Sequence, residues 1–408
     1  MFLVAGCCIG GGMLALPVGS GFGGFIPSLA MMLLCWAGMT LSALLLMEVC
    51  LWMKEEAHVI TLTSKILGPL GKAVAWVLFL YISYASVVAY AAGGGGQAAR
   101  MLQAATGWEV SSEAGAALIA LFFTAVVAFG GEIVGRVNAL LFFGLIGAYF
   151  MLVGFGIDEV RPELLAYQKW SKSLLAIPLL LTAFSFQTMV PSLTPILKHH
   201  TNALRLSIVG GTTIALVVYA VWQLLILGII PVEGEKGLIE ANRLAVPATE
   251  FLYAHVGGKW FLTIAQFFGF FAIVTSFLAM GLGLFDFLSD GLGIKKRGLG
   301  KLWLALLIAL PTILFAVKYE RAFMVAMETS GGFGDTILNG MFPVLMVWIG
   351  RYRLGYANSF RVPGGKPLLV VVFLYFLVSL TIEILMQTGY LPMEYEAYDL
   401  LEYIEPTG

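Results

Sequence analysis

The chain has 408 residues, 60% of them hydrophobic and only 12% charged, with a formal net charge of -1. No water-soluble domain tolerates so apolar a surface, so the composition excludes one and points to a polytopic membrane protein. No basic stripe suggests nucleic acid, and Cys7, Cys8, Cys35 and Cys50 lie in or beside apolar runs without metal-ligand spacing, indicating neither a disulfide framework nor a metal site.

Crossing a bilayer takes about 20 apolar residues. Runs of that kind fall at 1–22, 25–53, 72–102, 113–130, 137–157, 173–197, 206–231, 259–288, 301–317, 334–350 and 366–389, eleven expected spans joined by short connections. The first contains Val4-Ala-Gly-Cys-Cys-Ile-Gly-Gly-Gly-Met-Leu-Ala-Leu-Pro17, with four glycines in seven residues. Each interior glycine costs a helix about 1 kcal/mol relative to alanine. A backbone interrupted in hydrocarbon survives only inside protein or beside a polar cavity, so a broken helix lining a site is expected here. Without a charged leader or an A-x-A cleavage motif, the run reads as a mature span.

Gly19-Ser-Gly-Phe-Gly-Gly24 matches G-x-G-x-x-G but follows a helix, and reads as the loop after span 1. Gly93 to Gly96 in span 3 has no Lys-Ser/Thr companion and reads as a thin surface for close helix approach. Span 6 carries Ile177-Pro-Leu-Leu-Leu-Thr-Ala-Phe-Ser-Phe-Gln-Thr-Met-Val-Pro-Ser192, where two prolines bracket a polar centre from Thr182 to Thr188. Breaks in spans 1 and 6, each followed by four continuous spans, match two inverted repeats of five helices plus one extra helix. The repeats would cover 1–158 and 173–350, with 366–389 as the extra span and 390–408 as an acidic tail.

Lysine and arginine set the orientation. With the N-terminus cytoplasmic, fourteen lie in inside loops and nine in outside loops, and the five acids of the tail face outward with no base among them. The expected arrangement is a multi-pass protein of the cytoplasmic (inner) membrane, N-terminus in and C-terminus out. Charges inside spans are costly and point to function: Glu48 ends span 2, Asp286 and Asp290 end span 8, Asp335 opens span 10, and Glu383 lies in span 11, where interfacial or oligomer contacts are expected. No catalytic arrangement of Ser, His, Asp or Cys shares one membrane depth, so the chain is not expected to be an enzyme. Nor do the spans carry the continuous polar stripe of a passive channel.

Gly6-Cys-Cys-Ile-Gly-Gly-Gly-Met-Leu-Ala-Leu-Pro17 resembles the first-span signature of the hydroxy and aromatic amino acid permeases. The resemblance continues through Ala89 to Gly96, Phe184 to Ser192 and Thr275 to Asp286, and covers nearly the whole chain. It implies an all-α integral membrane protein of the leucine-transporter type with helices 1 and 6 discontinuous, of the tyrosine- or tryptophan-permease kind, in the amino acid-polyamine-organocation superfamily. Two departures stand out. Family members commonly have Gly-Phe-His-Gly where this chain has Ser185-Phe186-Gln187-Thr188, which leaves the substrate open, and the short cytoplasmic lead before span 1 is absent, which leaves the start at Met1 open.

An amino acid zwitterion needs donors for its carboxylate and acceptors for its ammonium. The half-helix expected to begin near Met13 offers an N-terminal anion site, so the amides of Gly10, Gly11 and Gly12 are assigned to the carboxylate. Free carbonyls around Cys7 and Cys8 and around Ala183 to Ser185 are assigned to the ammonium, and Phe184, Phe186 and Gln187, with Tyr81 or Tyr84, to the side-chain pocket. By resemblance to sodium-coupled members of this fold, the carbonyls of Gly6, Ile9 and Ala272 and the hydroxyls of Thr275 and Ser276 would hold the ion. The competing reading is that Thr275 and Ser276 bond back to their own helix. No cofactor is expected beyond a coupling ion, H+ or Na+. The expected activity is import of tyrosine or tryptophan by symport, with another neutral amino acid as the alternative and the oligomeric state undetermined.

Overall fold

The structure, a computed structural model, describes residues 1–53, 58–256, 259–319, 321–357 and 360–391. Lys54 and the acids of the expected tail, 394–405, lie outside the described residues. Among the described residues the chain is helical without strands, and eleven spans cross if the bent first pair counts as one. They are Phe2–Cys8 with Gly11–Ser20 (span 1), Phe25–Trp52 (2), Val59–Thr106 (3), Ser112–Phe129 (4) and Gly131–Gly156 (5). Ile177–Ala183 with Val190–Ile196 (6), Thr201–Ile229 (7), Lys259–Leu292 (8), Leu299–Lys318 (9), Ala322–Tyr352 (10) and Gly365–Gln387 (11) complete the set.

Burial separates centre from periphery. In spans 6 and 10, 67% of the most apolar window is buried within the protein, against 22% in span 9 and 28% in spans 5 and 11. Leu140, Phe143 and Phe150 of span 5, Leu310 and Leu314 of span 9, and Val371 and Val378 of span 11 are exposed and form the lipid-facing surface of a multi-pass membrane protein. The broken spans therefore sit inside a sleeve of protein, the one place where interrupted backbone is tolerated at membrane depth.

Two boundaries differ most from the sequence reading. Span 3 starts at Val59 and not near 72, and Gly68 (φ +77°) before Pro69 bends it, because the proline disfavours a helical residue ahead of it and glycine alone accepts positive φ freely. Span 10 starts at Ala322 and not near 334, and residues Ser330–Met341 are wound as a π-helix. Gly331, Gly332, Gly334, Asp335 and Asn339 lower its hydropathy, which hid its first half, yet all five are buried. Asp335 thus lies midway along the span and does not open it.

Gly95 and Gly115 show the close approach read from the glycine run of span 3, since a Cβ on either would strike backbone of the other's helix. Near the chain ends of spans 2 and 10, Glu48 and Arg351 form a buried bidentate pair at 2.5 and 2.7 Å, and Val362 N–H donates to the same carboxylate at 2.8 Å. Glu48 is therefore a structural anchor between the two spans. Asp286 is paired with Lys296 at 2.7 Å.

Candidate functional site

Span 1 comes undone at Ile9 and Gly10, and its halves meet at 54°. Gly10 is extended (φ -173°, ψ -147°), and the second half begins at Gly11, two residues before the expected Met13. In span 6, Phe184, Ser185 and Phe186 are non-helical, followed by a 3-10 turn at Gln187–Met189. Pro178 and Pro191 each stand in the first turn of a half-helix, so they open the halves where a missing N–H costs nothing.

The two breaks lie against each other. A Cβ on Gly12 would be 3.8 Å from Ala183 Cα. Tyr219 of span 7 ties them together, its hydroxyl donating to Cys8 O at 2.5 Å and to Ala183 O at 2.9 Å, one proton shared between two acceptors. These are two of the carbonyls assigned to an ammonium, and the structure brings them within reach of a single donor. Cys7, beside them, is exposed. On the amide side, Gly11 N–H donates to Ser276 Oγ of span 8 at 2.8 Å, while the amides of Gly10 and Gly12 bond to no described residue. The end of a half-helix with free N–H groups is the donor set a carboxylate needs.

Aromatic walls enclose this point. Phe184 and Phe186 are buried, and Phe184 meets Tyr219 edge-on at 5.2 Å. Trp222 donates to Met13 O at 3.1 Å. The aromatic of span 3 that lies against the break of span 1 is Tyr90: a Cβ on Gly11 would lie 2.5 Å from Tyr90 Cε1, and its hydroxyl is beside Ser276 and Ser86. Tyr84 donates to Leu307 O of span 9 at 2.7 Å, and Tyr81 packs by Gly334 of span 10. Tyr90 stands in the quoted Ala89 to Gly96 segment, so helical spacing from the glycine run could have singled it out.

Gln187 faces inward but is already occupied. Its Oε1 accepts from Phe186 N–H at 2.9 Å and its Nε2 donates to Met39 O at 3.0 Å, so it plugs the break of span 6 onto span 2. Ser185 donates to Asp335 Oδ1 at 2.5 Å and accepts from Asn339 Nδ2 at 3.0 Å. Of the ion residues, Ala272 and Ser276 lie at Gly10, whereas Gly6 packs near Phe142 of span 5. Thr275 Oγ1 donates to Phe271 O at 2.7 Å and Ala272 O at 3.2 Å, within its own helix. Ile9 caps the first half of span 1, its N–H bonded to Ala5 O. Among the described residues, no group of three or more metal-ligating side chains occurs.

A cavity of about 410 Å³ opens between the ends of spans 3 and 8 and the loop at Pro247 to Phe251. Its lining includes Gly93, Ile273 and Leu14, and Arg100 and Glu250, which also line it, are paired at 2.9 Å.

The model of the tryptophan/tyrosine permease family matches residues 1–383. Tyrosine-specific transport system 1 of Haemophilus influenzae is 31% identical, over 96% of this chain and 97% of that protein. A tryptophan-specific transport protein of Pseudomonas aeruginosa is 28% identical, over 96% of this chain and 94% of its own length. The crystal structure of MhsT in complex with L-phenylalanine superposes with a TM-score of 0.61 over 92% of this chain and 97% of that one, at 12% identity, which gives the fold as that of the leucine-transporter type. The chain belongs to the tryptophan/tyrosine permease family and is a membrane transporter, not an enzyme.

Proposed function

We propose that this permease imports tyrosine or tryptophan across the cytoplasmic membrane by ion symport, with spans 1, 2, 6 and 7 rocking against the remainder to alternate access. The N-terminus is cytoplasmic and the C-terminus outside, and the two repeats divide at 1–158 and 173–350. The observation that carries this reading is the convergence of Cys8 O and Ala183 O on one hydroxyl, a few residues from the free amides of Gly10 and Gly12. An ammonium and a carboxylate on one carbon fit that pairing. Phe184, Phe186, Tyr90 and Trp222 supply apolar faces for an aromatic side chain, in keeping with the named activities of the relatives.

Ser276 lies where span 8 meets the break, so it both holds the Gly11 amide and borders the assigned ion position. Uptake of labelled tyrosine, tryptophan and leucine into proteoliposomes, with proton and sodium gradients imposed separately, tests the proposal. Accumulation of an aromatic amino acid under one gradient is expected. Accumulation of leucine alone, or of none of the three under either gradient, overturns it.

A further inference from the structure

The π-helical middle of span 10 buries two carboxylates that the substrate reading leaves unused. Asp335 is fully buried, its Oδ1 accepting from Ser185 Oγ at 2.5 Å and Asn339 Nδ2 at 2.7 Å, while Oδ2 has no hydrogen-bond partner. Asn339 Oδ1 is likewise unpartnered. Glu383 of span 11 is also fully buried. Its side chain lies over Gly332, Gln387 serves one oxygen at 2.9 Å, and Oε2 has no partner. It therefore packs against span 10 within the protein, where interfacial or oligomer contacts were expected of it.

Among the described residues, neither Asp335 nor Glu383 is ion-paired with a cation. Tyr81 and Tyr90 of span 3 are within electrostatic reach of Asp335, and Tyr81 also of Glu383. Glu328, on span 10 itself, is near Glu383 and Arg321. Span 2 offers Ser42, bonded to Asn339 O; span 6 offers Thr182, bonded to Met327 O, and Ser185; span 11 adds Ser379 beside Thr336. A buried carboxylate without cation or donor on one oxygen is strongly disfavoured as an anion, and the smallest cation that relieves it in a closed site is a proton.

We infer that Asp335 is the proton-carrying group of the transporter, and that Ser185 transmits its charge state to the break of span 6. The inference rests on the symport reading above and deepens it. From the outer side, Asp335 takes up one proton to give the neutral acid, and on the inner side it returns that proton to water as the carboxylate re-forms. Since the substrate zwitterion carries no net charge, each cycle moves one positive charge inward. Ionised, Asp335 holds Ser185 by a charge-assisted bond; neutral, it holds it by one about half as strong. Ser185 is one of the three non-helical residues of the break and lies two positions from Ala183, whose carbonyl is paired with Tyr219. Protonation and the geometry of the ammonium acceptors are thereby linked through a few bonds.

The test uses the full-length protein in proteoliposomes, with labelled tyrosine and tryptophan. A pH step of about one unit, alkaline inside, supports about tenfold accumulation per proton carried. Wild type is expected to accumulate substrate under that step without sodium. The Asp335→Asn variant is expected to exchange substrate between the two sides yet to lose accumulation, and Glu383→Gln to keep it. If Asp335→Asn does not fold, Asp335→Glu serves in its place, with a shifted pH profile of accumulation expected. Accumulation by Asp335→Asn equal to wild type, or an unshifted profile in Asp335→Glu, overturns the inference. Wild-type exchange that responds only to sodium overturns it too while leaving the transport reading intact, whereas absence of any exchange by wild type defeats that reading and this one together.

Discussion

Substituting Gly11 by alanine places one methyl group where the breaks are most crowded. The added Cβ would lie 2.5 Å from Tyr90 Cε1 and 2.7 Å from Cδ1. Ordinary contact needs about 3.5–4 Å, so the ring or the break must retreat by about 1 Å. Tyr90 is only 8% exposed and its hydroxyl is set beside Ser276 and Ser86, so it has little room. Overpacking of this kind costs about 1–3 kcal/mol. At 1.4 kcal/mol per factor of ten, substrate binding should weaken about 5- to 150-fold. Alanine at Gly12 meets the end of the Met327 side chain at 3.3 Å, a contact that can yield, and should cost less. Equilibrium binding of labelled tyrosine and tryptophan to the purified protein measures both. Because Tyr90→Ala removes the obstacle, the double variant should lose less than the sum of the single losses. Wild-type affinity in Gly11→Ala, or strict additivity with Tyr90→Ala, would refute the placement of Tyr90 over the break.

Three further outcomes are expected. Ser276→Ala leaves the Gly11 amide without an acceptor and should lower the unfolding stability of the empty protein by about 1–3 kcal/mol, while Thr275→Ala, whose hydroxyl is spent within its helix, should change it far less; equal effects would contradict the bond from Gly11. Tyr219→Phe strips the donor from Cys8 O and Ala183 O, so thermal unfolding of the empty protein should fall by about 1–3 kcal/mol and added substrate should restore more than it gives wild type; an unchanged midpoint would argue against that bridge. Glu48→Gln should destabilise the protein by about 3–5 kcal/mol because Arg351 is left buried and unpaired, whereas Glu48→Leu with Arg351→Met should recover most of the loss; a neutral single variant in the same unfolding assay would show that the pair is not an anchor.

The breaks were legible because glycine and proline act locally: four glycines around Cys7 to Ile9 weaken their own helix, and two prolines flanking Thr182 to Thr188 favour helix starts, whatever surrounds them. What surrounds the breaks was not legible. Tyr219 and Trp222 read as ordinary residues of an apolar span, and only the packing of span 7 against span 1 makes one a bridge and the other a donor to Met13 O. Span 10 misled because hydropathy treats polar residues as breaks, while here Asp335, Asn339 and the glycines are buried among spans 2, 3, 6 and 11, and a hydropathy window does not see neighbours. That Tyr84 is turned toward span 9 was hidden for a related reason, since a 48-residue helix with aromatic residues on several faces gives no phase until its neighbours are placed. Thr275 illustrates the reverse case: its bond back to its own helix was the bland expectation, and the geometry has it that way.

The central claim is that main-chain groups at the two breaks hold both ends of an amino acid. Competition against labelled tyrosine or tryptophan exchange by two analogues of each, one lacking the amino group and one lacking the carboxylate, tests it most directly. Each deletion should weaken competition by at least about tenfold, since a charge-assisted hydrogen bond contributes about 1.5–3 kcal/mol. An analogue missing either group that competes as well as the parent amino acid would contradict the claim.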